Sequence, residues 1–408
     1  MIKKNRNQTN KTTAIMLAIL IALFSIISPL ETYCYQTESI NTTNIVEQLN
    51  NTVIDELNQI NFNGLESIIV DFNKNNTNIF SINNIKNKVY SILSGESAVE
   101  YSSVLEAIFS SIIELVKKYV PLLSIIVTLG VLSNLLNGFK SKFGEKSIGD
   151  LIHLICFMSV VIIMITVINN LSTTTGRSIS SMVGQINQIF PILLTLMVGI
   201  GATSSVSVFQ PIVGIISTYV ADIFNYFIMP LFLFNFVFHI ISNLTSNVKL
   251  DKFAEFTSSL FKWSVGITFT IFFAIFTIQG ISAGSFDSVS IRTAKYSIKS
   301  YVPILGGYLS DGMDLILSSS VLIKNSIGLV GVLLIMSTII SPILEIVICS
   351  LLLKLVSAIL QPLGDGKTCN FLTSSSKSII MLSTTVIAVG FMYLISIGLV
   401  MTTSNVVL

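Results

Sequence analysis

From residue 119 to the C-terminus the chain is a succession of apolar stretches, joined by segments too short to hold a soluble domain. A helix needs about 20 mostly apolar residues to cross the hydrocarbon core of a bilayer, and residues 151–169, 223–241 and 265–281 each approach that length. Charged residues are 11% of the chain and the mean hydropathy is +0.81, whereas a soluble domain is about 25% charged. The pattern defines an all-α, polytopic helical membrane protein.

The N-terminus carries a second membrane-directed signal. Lys3, Lys4, Arg6 and Lys11 form a basic region ahead of an apolar run from Ala14 to Ile27, and polar sequence begins at Glu31. Residues 1–34 therefore read as a secretory signal peptide. Cleavage after Cys34 and retention as an anchor are both open. Residues 35–118 are then exported, and they hold ten acidic residues against five lysines, a net charge of −5. Apolar stripes at helical spacing run through this region: Ile45, Leu49, Val53, Leu57 and Ile60, then Ile82, Ile85, Val89 and Ile92. They predict a small amphipathic helical region, either a cap packed on the membrane part or a docking surface. Cys34, Cys156, Cys349 and Cys369 form no close-spaced pair, so apolar packing is favoured over a disulfide or zinc site. Nothing in the composition points to nucleic acid, and no cofactor is implied.

Basic loops set an orientation for residues 119–408. With the exported region outside, a span near 119–137 delivers Lys140, Lys142 and Lys146 to the cytoplasm, following the positive-inside trend. Further spans near 151–169, 186–201, 206–221, 223–241, 263–281, 302–319, 326–342, 343–360 and 379–401 return Lys249, Lys252, Lys262, Lys367 and Lys377 to the same side. That makes ten crossings. Several stretches are short and lie against Pro191, Pro211, Pro303 or Pro342, so a count of eight to ten with some half-helices is expected. A weak echo links Pro191-Ile-Leu-Leu and Ser204-Ser-Val to Pro303-Ile-Leu-Gly and Ser319-Ser-Val. It fits a parallel repeat over 148–245 and 260–362, or chance among apolar, serine-rich segments.

Residues 287–299 are predicted outside yet carry Arg292, Lys295 and Lys299 on one helical face. This is the pattern of an interfacial amphipathic helix whose cations meet lipid phosphate, or of a surface for an acidic partner. Deeper in the predicted spans, Asp311, Asp314, Lys324, Asn325 and Lys354 are candidate intramembrane polar residues. Such groups are rare in lipid and are usually paired.

Four segments carry a resemblance: Ser290-Ile-Arg-Thr-Ala-Lys295, Val302-Pro-Ile-Leu-Gly306, Leu322-Ile-Lys-Asn325 with Gly328 and Gly331, and Leu360-Gln-Pro-Leu-Gly364. In this order, behind a signal peptide and an exported segment, they resemble the stage III sporulation protein AE family of endospore-forming bacteria. The resemblance implies a polytopic subunit in the mother-cell membrane around the forespore. It would act with other membrane proteins of its operon, including a secretion-type ATPase and ring-forming subunits, in a channel or specialised secretion complex. Physically, Pro303 and Gly306 would break a helix at the outer face and Pro362 would end one at the inner face. Gly328 and Gly331 would let helices approach closely, and Lys324 could snorkel to the interface.

Enzyme readings find little support. His153 and His239 stand alone, without a zinc-binding H-E-x-x-H pair, and no phosphate-binding loop is present. A non-enzymatic complex subunit is the favoured reading, with a secondary transporter or permease as the alternative.

Overall fold

The computed structural model describes residues 84–94, 101–143, 146–244, 250–301, 306–363 and 366–403, with scattered positions between 54 and 70. The predicted signal peptide, most of residues 35–83, Pro303 and Gly364 lie outside the described residues. No strand occurs among those described.

A short helix, α1 (Ile85–Leu93), starts at Asn84, whose side chain accepts a hydrogen bond from the Asn87 amide. Its buried residues, Ile85 and Val89, lie one turn apart and pack against the long helix α7 described below. α2 (Tyr101–Phe143), α3 (Lys146–Gly199) and α4 (Thr203–Ile223) follow. A π-turn at Phe224–Ile228 joins α4 to α5 (Met229–Leu244). α6 (Asp251–Tyr301), α7 (Gly306–Leu360) and α8 (Gly366–Thr403) complete the bundle. Six of these helical segments are long and apolar enough to cross a membrane: α2, α3, α4–α5, α6, α7 and α8.

Six such segments among the described residues are fewer than the eight to ten crossings expected from sequence, and the cause is specific. Pro191 and Pro342 do not end helices; each lies inside a continuous one. Neighbouring helices can satisfy the backbone groups a proline frees in an apolar setting. Residues 170–185, which separate two of the expected spans, are helical, with Thr175 and Gln185 fully buried. The Gln185 side-chain amide donates to Thr338 Oγ1 on α7 at 2.8 Å, so its polarity is met by a helix rather than by water. The mergers in α3 and in α4–α5 each remove one crossing and that in α7 removes two, so the parity of every basic turn survives. Lys146, Lys252 and Lys367 stand at helix ends on one side of the bundle.

The echo noted in the sequence falls on different local structures. Ser204-Ser-Val opens α4 just past a break at Gly201, where φ is +86°. Ser319-Ser-Val lies within unbroken α7.

α7 is the axis of the bundle. α8 packs antiparallel to it along paired hydroxyls: Ser350 with Ser376 at 2.8 Å, and Ser357 with Thr373 at 2.9 Å. Glycines permit the close approach farther along. A Cβ at Gly328 would come within 2.5 Å of the Met401 side chain, and one at Gly331 within 3.0 Å of Ile189 on α3. Without a lipid-phase hydrophobic force between helices, small residues and interhelical hydrogen bonds carry such packing.

Candidate functional site

At about 80 Å, α3 and α7 are more than twice as long as a bilayer core of about 30 Å. Their partners end at different heights. The last turn of α8 stops beside Lys324, which is fully buried and donates from Nζ to the Met401 carbonyl at 2.9 Å. A cation there meets the negative end of the α8 dipole. Lys324 is thus held inside the bundle rather than snorkelling outward.

Past that level, α6 and α7 continue as an antiparallel helical hairpin. The turn after α3 abuts its base, where Ile200, Ile291, Leu317 and Val321 form an apolar cluster. Gly201 lies against Ile291 there, and its positive φ makes the turn that starts α4. The first amides of α4 have no partner from their own N-cap, Ala202. Asp287, almost fully buried on α6, supplies it: Oδ1 accepts from Ser204 N at 2.9 Å and Oδ2 from Ser205 N at 2.8 Å. The carboxylate satisfies two orphan donors and opposes the positive end of the helix dipole.

Two turns farther along α6, Lys295 forms an ion pair with Asp314 of α7. Asp287, Ile291 and Lys295 recur every four residues, so one α6 face carries the cap, the apolar contact and the ion pair. Arg292 and Lys299 lie on the exposed side with Tyr296 and Tyr301. The three cations expected on one face are therefore divided, one turned to α7 and two outward. The segment is not a separate interfacial helix. It continues α6 without a break.

The remaining candidates are dispersed. Gly306 begins α7, and Pro362 sits in the 3-10 turn Gln361–Leu363 that ends it. Asp311 lies on the first turns of α7, and Asn325 is half-buried beside Lys324. Lys354 is half-buried about 45 Å along α7 from Lys324.

Two polar groups escaped the sequence reading. Glu345, buried on α7, accepts from Tyr119 Oη at 2.7 Å and from Lys118 Nζ at 2.5 Å. These donors are on α2, and Lys118 stays half exposed. The available signal was simple: Glu345 is the lone acidic residue between Asp314 and Asp365. Asn235, buried on α5, donates to the Ala254 carbonyl at 2.6 Å and accepts from Ser378 Oγ at 2.7 Å, tying α5 to α6 and α8. Among the described residues no group of three or more His, Cys, Asp or Glu side chains is placed to hold a metal ion.

These features define a multi-pass helical membrane protein whose polar residues serve mainly to lock helices together. A family model described as stage III sporulation protein AE matches residues 83–404. The chain belongs to that family. It is similar to the stage III sporulation protein AE of Bacillus subtilis (strain 168), 25% identical over 320 residues, covering 78% of this chain and 80% of the other. No solved structure matches it at a significant level.

Proposed function

We propose that the protein is a non-enzymatic integral subunit of the complex linking the mother cell to the engulfed forespore, a channel or specialised secretion assembly needed after engulfment. The observation that carries this reading is a family match across the described helical bundle, joined to six apolar helices. The protein would reside in the mother-cell membrane around the forespore, with the end bearing Lys146, Lys252 and Lys367 in the cytoplasm. Residues 35–118 would face the intermembrane space behind a signal peptide. Operon neighbours, including a secretion-type ATPase and ring-forming subunits, would be its partners. Nucleotide energy would come from that ATPase, because this chain has no phosphate-binding loop.

Deleting the gene tests the proposal. Sporulation should stop after engulfment while vegetative growth is unchanged. A growth defect in non-sporulating cells would instead favour the transporter reading, for which the buried Glu345 and its Lys118 partner are the strongest support.

A further inference from the structure

The α6–α7 hairpin head extends past the described ends of α3 and α8. α8 ends at the level of Lys324 and α3 at the level of Leu317 and Val321. Beyond these, α6 and α7 meet through the Lys295–Asp314 ion pair. The outward face of α6 then presents Arg292, Tyr296 and Lys299 at steps of four and three, followed by Tyr301. Tyr296 is 72% exposed and Tyr301 82%. From Ile281, where the apolar stretch of α6 ends, the continuous helix rises about 16 Å to Arg292 and about 27 Å to Lys299. These cations therefore stand well clear of the headgroups next to their own apolar stretch. A lipid role for them would need a second surface.

A basic, aromatic face calls for an acidic partner with its own apolar contacts. The same gene product supplies one at the same end of the bundle. α2 runs parallel to α7, since Lys118 lies beside Glu345 and Gly130 beside Leu360. The Tyr101 end of α2, from which the acidic N-terminal region leads, is therefore at the head's end. Within one copy the described parts of that region pack on α7 and α3 rather than on the outward face of α6: α1 lies on α7, and Gly64 lies against Gln188 of α3. The α6 face that carries Tyr296 and Tyr301 is left exposed. We infer that it is a self-association surface, and that its occupant is the acidic region between residues 35 and 118 of a second copy of this chain. The contact joins two different surfaces, so it is heterologous and propagates around a ring or along a filament.

The test uses two full-length copies with different tags, co-expressed in membranes and captured through one tag in mild detergent at low salt. Wild-type copies should co-purify. R292E with K299E in both copies should cut co-capture about tenfold or more, because attraction becomes like-charge repulsion. Pairing that variant with a copy carrying D55K, E56K and D71K should restore it. Lys295 and Asp314 are untouched, so the hairpin should keep its internal ion pair. If the reversed variant is degraded, D55N with E56Q and D71N in an otherwise wild-type chain must lower co-capture instead. Absence of wild-type co-capture overturns the inference. So does co-capture indifferent to either set of changes, or failure of the paired reversal to restore it.

Discussion

Tyr119 on α2 donates its phenolic proton to Glu345 on α7 at 2.7 Å, and both residues are almost completely buried. The neighbouring Lys118 reaches the same carboxylate oxygen from a half-exposed position. A buried carboxylate needs such partners, since an ion left unpaired in a low-dielectric interior is strongly destabilising. The pair also fixes the height of α2 against α7.

This arrangement ranks three substitutions. Glu345→Gln keeps an acceptor for Tyr119 and should cost least. Lys118→Met leaves the buried carboxylate with only a neutral donor and should cost about 2 kcal/mol, discounted for the exposure of the lysine. Glu345→Ala strands the buried phenol and opens a cavity, so it should cost about 3 kcal/mol. Reversible unfolding in detergent, with the Lys118–Glu345 double-mutant cycle, reads the order. Equal losses for all three would contradict it.

Asp287 caps a helix to which it is not covalently adjacent. Asp287→Ala should lower stability by about 1–2 kcal/mol, the usual loss for a cap. The effect should be local: amide exchange at Ser204 and Ser205 should speed up before exchange in α7 does. Unchanged protection at those two amides would remove the capping role.

Gly390 lies directly beneath Ile339 of α7. Gly390→Ala places a methyl in that contact and should cost about 1–3 kcal/mol through overpacking. Ile339→Val, which removes the outermost carbon, should recover part of the loss in the double variant. Additive losses would show that the α7–α8 contact is looser than its geometry indicates.

How much could be read without coordinates varied with the kind of signal. The stripe through Ile85 and Val89 was visible because burial at helical spacing leaves a period in the chain, and both residues are buried in α1. Lys295 and Asp314 stand apart in the sequence, and only the antiparallel packing of α6 on α7 makes them a pair. Pro191 and Pro342 misled because a proline that would end a helix in water is accommodated inside a bundle. The hydroxyls and amides of residues 170–185 misled similarly, since polarity suggests a loop unless the partner is known. For Gln185 the partner is Thr338, distant in sequence. Glu345 lies outside the motifs that carry the family resemblance, and no local period ties it to Lys118 and Tyr119, which are distant in sequence.

The difference between ten crossings and six can be decided at Thr175. In a ten-crossing arrangement this residue lies in an extracytoplasmic loop after the span at 151–169. In the bundle it is a fully buried residue in the middle of α3. A cysteine at position 175, in a chain whose native cysteines are replaced, should resist a membrane-impermeant maleimide in intact cells. It should react only after unfolding. A cysteine at Asn76 in the exported region should be labelled from outside, and one at Ser141, near the basic end of the bundle, should be labelled only after permeabilisation. Ready external labelling at 175 would restore a break within α3 and the larger number of crossings. Labelling of 141 but not 76 would invert the bundle and put the hairpin head in the cytoplasm.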